Sequence, residues 1–140
     1  RNIDRNVLAK LYRGARVGMV TPLADGMNLV AKEYIAAQDP EDPGVLVLSH
    51  LAGAAEDLTE ALLVNPYDIE GMSEALSQAL DMPFKERKRR YTACMDQVVK
   101  TDVKVWCNSF ISALEACEVP LAWGNSTMNL NPQKTLKPTT

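Results

Sequence analysis

The chain has 140 residues, 46% of them hydrophobic, which suits one domain or part of one with a genuine core. Its formal net charge of −3 argues against nucleic acid as the main partner, because such surfaces are usually basic. No apolar run approaches the roughly 20 residues that a membrane span needs, so no membrane partner is expected. The chain begins with Arg1 and carries no signal peptide, so we expect an interior fragment or a processed product.

The cysteines Cys94, Cys107 and Cys117 are odd in number and have no CxxC spacing. This pattern predicts neither a disulfide framework nor a zinc site. We expect reduced thiols packed as small apolar side chains, in a reducing cytoplasm.

The amino-terminal segment predicts a helix followed by a short strand. Asp4 can cap a helix that runs from about Arg5 to Arg13, and Gly14 is expected to end it. The predicted apolar face of this helix consists of Val7, Leu8, Leu11 and Tyr12. The apolar run from Val17 to Val20 is typical of a buried strand.

A polar loop and a second helix come directly after this strand. Beyond Asp25-Gly26 the apolar positions recur at spacings of three and four, which predicts a helix to about Gln38. In an open α/β sheet such a loop lies at the carboxyl end of a strand, where ligands bind. The first helical amides lack intrahelical partners and suit a phosphate, and Gly26 lets a ligand approach the backbone. Glu33 lies one turn further and could accept two vicinal sugar hydroxyls, although a plain turn and a solvated carboxylate explain the same pattern.

Two further apolar runs, Val45 to Leu48 and Ala61 to Val64, predict parallel strands covered on both faces. The segment from Ser49 to Ala55 is a loop of small residues at the end of the first of them. Asp68 is expected to cap a helix after the last strand, and Pro83 suits the first turn of the next helix. The predicted apolar face of the helix after Asp68 consists of Ile69, Met72, Leu76 and Leu80.

The last third of the chain predicts helices and a polar tail. The basic run from Lys85 to Arg90 could contact an anion, but a solvated helix face is the expected role. A last helix is expected to start at Asp102, and its apolar stripe consists of Val103, Trp106, Cys107, Phe110, Leu114 and Cys117. Residues 118–140 predict an irregular or disordered tail.

These alternating strands and helices predict an α/β fold with a Rossmann-like parallel sheet and flanking helices. Only three strands are visible, whereas such a lobe usually has about six, so residues 1–117 predict a partial lobe.

Four strings carry a resemblance to a known family: DGMNLVAKEY at 25–34, PGVLVLS at 43–49, AGAA at 52–55 and LLVNPYD at 62–68. They closely resemble the carboxyl-terminal lobe of trehalose-6-phosphate synthases, and the similarity runs from about Ile3 to about Leu114. Those are retaining glycosyltransferases of the GT-B fold that move glucose from UDP-glucose to glucose-6-phosphate. The resemblance implies the second half of that lobe, without the amino-terminal lobe. It implies no metal and no cofactor.

The same resemblance implies a binding site for UDP-glucose. The backbone amides from Gly26 to Val30 would hold the diphosphate and the glucose. Glu33 would bind the ribose hydroxyls, and Asp25, the catalytic candidate, would touch the transferred glucose. Ile3 falls at the uracil pocket. The whole implied donor set consists of Ile3, Asp25, Gly26, Met27, Asn28, Leu29, Val30, Ala31, Lys32 and Glu33.

Two residues of this set and two residues near it have more modest expected roles. Lys32 is expected to contribute only its backbone or to face solvent, and Met27 to pack. His50, the only histidine, is expected to form a loop hydrogen bond rather than to act in catalysis. Ala24 replaces a basic residue that many relatives carry, with little expected effect on donor binding.

The mechanism implied by the resemblance needs no enzymic nucleophile. The acceptor hydroxyl attacks on the face that the diphosphate leaves, so catalysis is positioning and charge stabilisation. The basic pair that usually completes the phosphate clamp has no counterpart in these residues.

Two alternatives stay open. The chain could belong to another sugar-nucleotide enzyme of the same fold, such as an epimerase. It could also be a truncated, non-catalytic lobe that folds, with a homo-oligomer as one form, and binds nucleotide weakly or not at all.

Overall fold

The computed structural model describes residues 3–101 and 103–117. The elements within them are α1 (Arg5–Gly14), β1 (Val17–Val20), α2 (Leu29–Ala37), β2 (Val45–Ser49), α3 (Ala54–Asp57), β3 (Leu62–Val64), α4 (Ile69–Asp81), α5 (Phe84–Lys100) and α6 (Val103–Glu115). The chain forms two compact units, Arg1–Trp106 and Cys107–Thr140. The first unit contains the sheet and α1 to α5. The predicted tail over 118–140 and the expected start of the last helix at Asp102 lie outside the described residues, so the domain boundary at 117 stays a prediction.

The three strands form one parallel sheet in the order β1-β2-β3. Val17 pairs with Val45, and Leu48 pairs with Leu63. All five residues of the central strand β2 are buried, as its uninterrupted apolar run predicts. The α/β fold with a parallel sheet and flanking helices is therefore confirmed.

Helices cover both faces of the sheet because side chains alternate along a strand. Leu46 and Leu48 of β2 pack in a core with residues of α2, α3 and α5. Val45 and Val47 point to the other face and pack in a second core against α4. This three-layer arrangement places the ends of β1 and β2 side by side at one edge.

Tyr34 fixes α2 against the sheet. Its side chain is 2% exposed, and its hydroxyl donates a 3.0 Å hydrogen bond to the carbonyl of Ala15. Its ring lies against Gly18 and its hydroxyl against Gly44, so closely that a Cβ at either glycine would collide with the tyrosine. Burial raises the pKa of Tyr34 to about 12, so the hydroxyl stays a donor at physiological pH.

Aspartates cap α1 and α4, as predicted. Asp4 accepts a hydrogen bond from the amide of Asn6, and Asp68 accepts one from the amide of Gly71. Gly14 is the last residue of α1 rather than the stop beyond it, since the cap falls on Ala15.

The predicted apolar faces of α1 and α4 are partly wrong. No residue of α1 is buried, and its Leu11 is 58% exposed. In α4 the buried residues are Ala75 and Ala79, whereas Ile69 is 78% exposed and Leu80 is 58% exposed. The small alanines face the sheet because they let the helix backbone approach it closely, which periodicity alone does not reveal.

The outer strands are also less buried than their sequences predict. Met19 of β1 and Leu63 of β3 are each 44% exposed. Both strands lie at the edges of the described sheet, where flanking helices cover them incompletely.

The solvated face predicted for the basic run in α5 is right only in part, since Lys85 and Arg89 are exposed but Arg87 is not. Arg87 is 7% exposed, and its guanidinium contacts the carbonyl of Pro43 and the carboxylate of Asp42. Arg89 and Arg90 both bond to Glu86. The run therefore ties α5 to the turn before β2 and to its own first turn.

The prediction of packed thiols is right only for Cys94, which is buried. Burial raises its pKa to about 11. Cys107 in α6 and Cys117 beyond its end are exposed. Trp106 and Phe110, two residues of the apolar stripe of the last helix, are 52% and 55% exposed. Among the described residues, no helix is both long enough and apolar enough to cross a membrane.

Candidate functional site

The candidate site is the loop between β1 and α2, together with the first turns of α2. Asn28 is the N-cap of α2, and its side-chain oxygen accepts a hydrogen bond from the amide of Ala31 at 3.0 Å. Its φ of 65° lies in the left-handed region, which asparagine tolerates better than most residues. The chain therefore enters the helix through a sharp bend at Asn28, which helical spacing alone does not predict.

Asp25 holds the loop from within. One carboxylate oxygen accepts from the amide of Met27 at 3.0 Å, and the other accepts from the side-chain amide of Asn28 at 3.1 Å. Asp25 thus fixes the bend as an Asx turn, the role that a turn aspartate alone would have. Asp25 as a whole is half-buried.

The loop after β2 supports the loop after β1 through its backbone. The amide of Asp25 donates to Leu51, the amide of Gly53 donates to Asp25, and the amide of Ala54 donates to Met27. The first of these distances is 3.3 Å, and the other two are 2.9 and 2.8 Å. Two of these bonds use carbonyl groups of the first loop, and only one uses an amide of that loop, so most of its amides stay available.

Four amides at the start of α2 have no hydrogen-bond partner within residues 3–101 and 103–117: Gly26, Asn28, Leu29 and Val30. Such donors at a helix N-terminus carry the positive end of the helix dipole and suit an anion. Met27 differs, since its amide is already bonded to Asp25. A Cβ at Gly26 would have no heavy atom within 4 Å, so this side of the loop is open.

Glu33 and Lys32 are neighbours on α2 with different surroundings. Glu33 is exposed, and its carboxylate has no hydrogen-bond or ion-pair partner among the described residues. The Lys32 side chain is only 20% exposed and pairs with Asp57 at 2.7 Å. Of the two roles expected for Lys32, the solvent-facing side chain is wrong, because its partner, 25 residues away, is not visible in a local pattern. The backbone role stays a prediction.

The other predicted site residues have the following surroundings. Ile3 is 55% exposed and precedes α1. Met27 is 36% exposed, so it packs only in part. His50 is exposed, and its Nδ1 lies 3.0 Å from the carbonyl oxygen of Val64, which confirms a loop hydrogen bond.

A cleft of about 620 Å³ opens beside the loop. Gly26, Met27 and Leu29 line it on one side, and Gly53 and Ala54 line it on another. Across residues 3–101 and 103–117, no group of three or more His, Cys, Asp or Glu side chains could hold a metal ion.

Three features of this site were not predicted from the sequence. Residues 54–57 form the short helix α3, although the small-residue loop was expected to continue to Ala55. Gly53 lies so close to the backbone of Gly26 that a Cβ there would collide with its carbonyl. Asp57 pairs with Lys32. The small residues of the AGAA string indicate close packing of the backbone. Only the fold reveals that Gly26 is the residue against which Gly53 packs.

The described fold and loop define a Rossmann-like α/β half-lobe whose strand–loop–helix segment offers unpaired amides at the carboxyl edge of a parallel sheet. A family model described as glycosyltransferase family 20 matches residues 1–116, so the chain belongs to that family. The resemblance seen in the sequence is confirmed.

Relatives of this family are similar over most of the chain. The trehalose-6-phosphate synthase of Sinorhizobium fredii is 60% identical over 116 residues, which are 83% of this chain and 25% of the relative. A structure from E. coli bound with UDP-2-fluoro glucose has a TM-score of 0.77 at 53% identity, covering 84% of this chain and 26% of that one. A synthase structure from Burkholderia xenovorans in complex with glucose-6-phosphate has a TM-score of 0.77 at 58% identity, covering 82% and 25%. The chain therefore spans about a quarter of the length of these relatives.

Proposed function

We propose that this chain supplies the UDP-glucose-binding part of a retaining glucosyltransferase that forms trehalose-6-phosphate and UDP from UDP-glucose and glucose-6-phosphate. The observation that carries the proposal is the loop with four unpaired amides followed by an exposed carboxylate one turn into α2. The relatives support the choice of substrates, since one is bound with a UDP-sugar analogue and another with glucose-6-phosphate.

In this proposal the amides bind the donor diphosphate. Gly26, Asn28, Leu29 and Val30 each offer an N–H that the described fold does not use. As the bond from the diphosphate to glucose C1 breaks, negative charge grows on the departing UDP. Fixed N–H donors stabilise that charge without having to reorient, which lowers the barrier.

Two carboxylates orient the rest of the donor. Glu33 accepts the two ribose hydroxyls, and its exposure leaves it free to do so. Asp25 contacts the transferred glucose, while its two internal bonds hold the loop. Ile3 lines the uracil pocket, and Met27, Ala31 and Lys32 complete the donor-binding segment.

The reaction itself needs no nucleophile from this chain. The acceptor hydroxyl forms its bond to C1 on the face that the diphosphate leaves, so the configuration is retained. Positioning of donor and acceptor then accounts for much of the rate. The acceptor site would come from an amino-terminal lobe, and the basic half of the phosphate clamp would come from residues outside this chain. We also propose a cytoplasmic location.

A chimera tests the proposal directly. Residues 1–116 of this chain replace the matching segment of the Sinorhizobium fredii relative, and this protein is called the chimera below. With UDP-glucose and glucose-6-phosphate we expect UDP release and formation of trehalose-6-phosphate. A chimera that folds but neither binds UDP nor turns over would contradict the proposal and favour a non-catalytic lobe.

The chain alone, residues 1–140, is expected to show no measurable transfer. Loss of one charge-stabilising donor typically costs about 10²–10³ in rate, and an absent lobe removes several groups together. Turnover by the isolated chain within tenfold of the chimera would show that no second lobe is needed. A product other than trehalose-6-phosphate would favour another sugar-nucleotide enzyme of this fold.

A further inference from the structure

We propose that Lys32 is a positioning residue: it acts through Asp57 to hold the start of α2 and does not contact the nucleotide. The inference rests on the proposed function, since the segment being positioned is the proposed donor site. Lys32 stands between the buried Ala31 and the exposed Glu33, so any rotation of this turn would move Glu33.

The ammonium of Lys32 already has partners. Its Nζ lies 2.7 Å from a carboxylate oxygen of Asp57 and 3.5 Å from the hydroxyl of Thr101. The side chains of Lys32 and Asp57 are 20% and 35% exposed, so the pair is partly shielded from water. Moving the ammonium away from Asp57 to a phosphate would break this short, partly shielded ion pair.

The pair completes a two-point attachment of α3 to the donor segment. At the first residue of α3, the amide of Ala54 donates 2.8 Å to the carbonyl of Met27. At its last residue, Asp57 bonds to Lys32 on the first turns of α2. No other side-chain hydrogen bond joins α2 to α3 within the described residues.

Thr101 extends the attachment to a third element. It is the C-cap of α5, and its hydroxyl donates a 2.8 Å hydrogen bond to the carbonyl of Gln97. Lys32 therefore joins segments that are 25 and 69 residues away in sequence. Contacts between such distant segments can fix the position of α2 along its axis and its rotation about that axis, which local helix propensity cannot do.

The test is a double-mutant cycle in the chimera, in which the affinities for two ligands are measured. Lys32→Met, Asp57→Asn and the double variant are titrated with UDP and with uridine by calorimetry. If Lys32 acts by positioning, Asp57→Asn reproduces Lys32→Met, and Kd rises by about 5- to 30-fold for both ligands. The double variant is then no weaker than either single variant, because coupled residues are not additive.

A direct phosphate contact predicts a different result. Lys32→Met would then weaken UDP binding but leave uridine binding unchanged, and Asp57→Asn would not reproduce it. Either result overturns the inference. Lys32→Arg, which keeps the charge, is expected to restore most of the affinity and serves as the second variant if Lys32→Met fails to fold.

A matched ion pair elsewhere provides the control. Lys88 and Glu41 are 3.3 Å apart on an exposed surface, and neither belongs to the donor segment. Lys88→Met should leave both affinities unchanged. A chimera with the wild-type segment that binds no UDP contradicts the proposed function itself, whereas wild-type binding with unaffected Lys32 and Asp57 variants contradicts only the positioning role.

Discussion

The amide of Gly53 donates a 2.9 Å hydrogen bond to the carbonyl of Asp25. This bond joins the loop after β2 to the loop after β1, and it brings the α-carbon of Gly53 against the carbonyl of Gly26. The proposed donor loop is therefore shaped by a second loop as well as by its own turn.

Gly53→Ala tests this contact. The backbone angles of Gly53, φ −57° and ψ −30°, are helical, so alanine meets no backbone strain. Its Cβ would instead collide with the Gly26 carbonyl and displace the loop. We expect the free energy of unfolding of the chain in urea to fall by about 1–3 kcal/mol. UDP affinity of the chimera should fall as well.

Gly14→Ala is the control for this substitution, because a Cβ there has no heavy atom within 4 Å. It should leave UDP affinity unchanged. If Gly53→Ala has the same free energy of unfolding and the same UDP affinity as the wild type, the two loops are not packed as described.

Glu33→Ala should weaken UDP binding by the chimera by roughly 1–3 kcal/mol, the range for polar groups left unpaired. The physical reason is the loss of an acceptor for two ribose hydroxyls. Stability should change little, since Glu33 is exposed. The matched control is 2′,3′-dideoxy-UDP, whose affinity should not respond to the substitution. Calorimetry that finds equal losses for both ligands would exclude the ribose assignment.

Asn28 combines a cap with a left-handed backbone, and two substitutions separate these roles. Asn28→Ala loses the bond to the Ala31 amide and adds backbone strain, so we expect a loss of about 2–3 kcal/mol in urea unfolding. Asn28→Gly loses only the side chain and should cost less. Asp68, the N-cap of α4, serves as the comparison, because its backbone is extended, with a φ of −102°. Asp68→Ala therefore removes a cap without adding strain and should cost about 1 kcal/mol. Equal losses for alanine and glycine at position 28 would argue against the left-handed cap.

Stability should depend on pH through Glu86. Its hydrogen bonds with Arg89 and Arg90 lower its pKa from 4.5 to about 2. A carboxyl group with a lowered pKa in the folded state stabilises the fold above its unfolded pKa, and this contribution is lost as the pH falls through the folded pKa. Urea unfolding between pH 5 and pH 2 should therefore show a steeper loss for the wild type than for Glu86→Gln. Parallel curves would show that Glu86 contributes no such dependence.

Much of the candidate site was accessible from the sequence because its signals are local. The polar turn at Asp25-Gly26 and the helical spacing that follows it predict a strand–loop–helix, and α2 begins at Leu29 as this pattern requires. The same pattern predicts amides without helical partners. It does not reveal that the Met27 amide is taken by Asp25, since that depends on the geometry of the bend.

The sequence by itself determined the parallel strands, the capped helices and the family, since apolar runs, capping residues and long identical strings need only neighbouring residues to be read. The tertiary structure decided which surfaces those elements use. It buries Ala79 rather than Leu80 against the sheet, and it buries Arg87 against the turn at Pro43. It also pairs Lys32 with Asp57. The physical reason is that burial and ion pairing depend on distances between segments far apart in the chain, and the packing of the layers sets those distances.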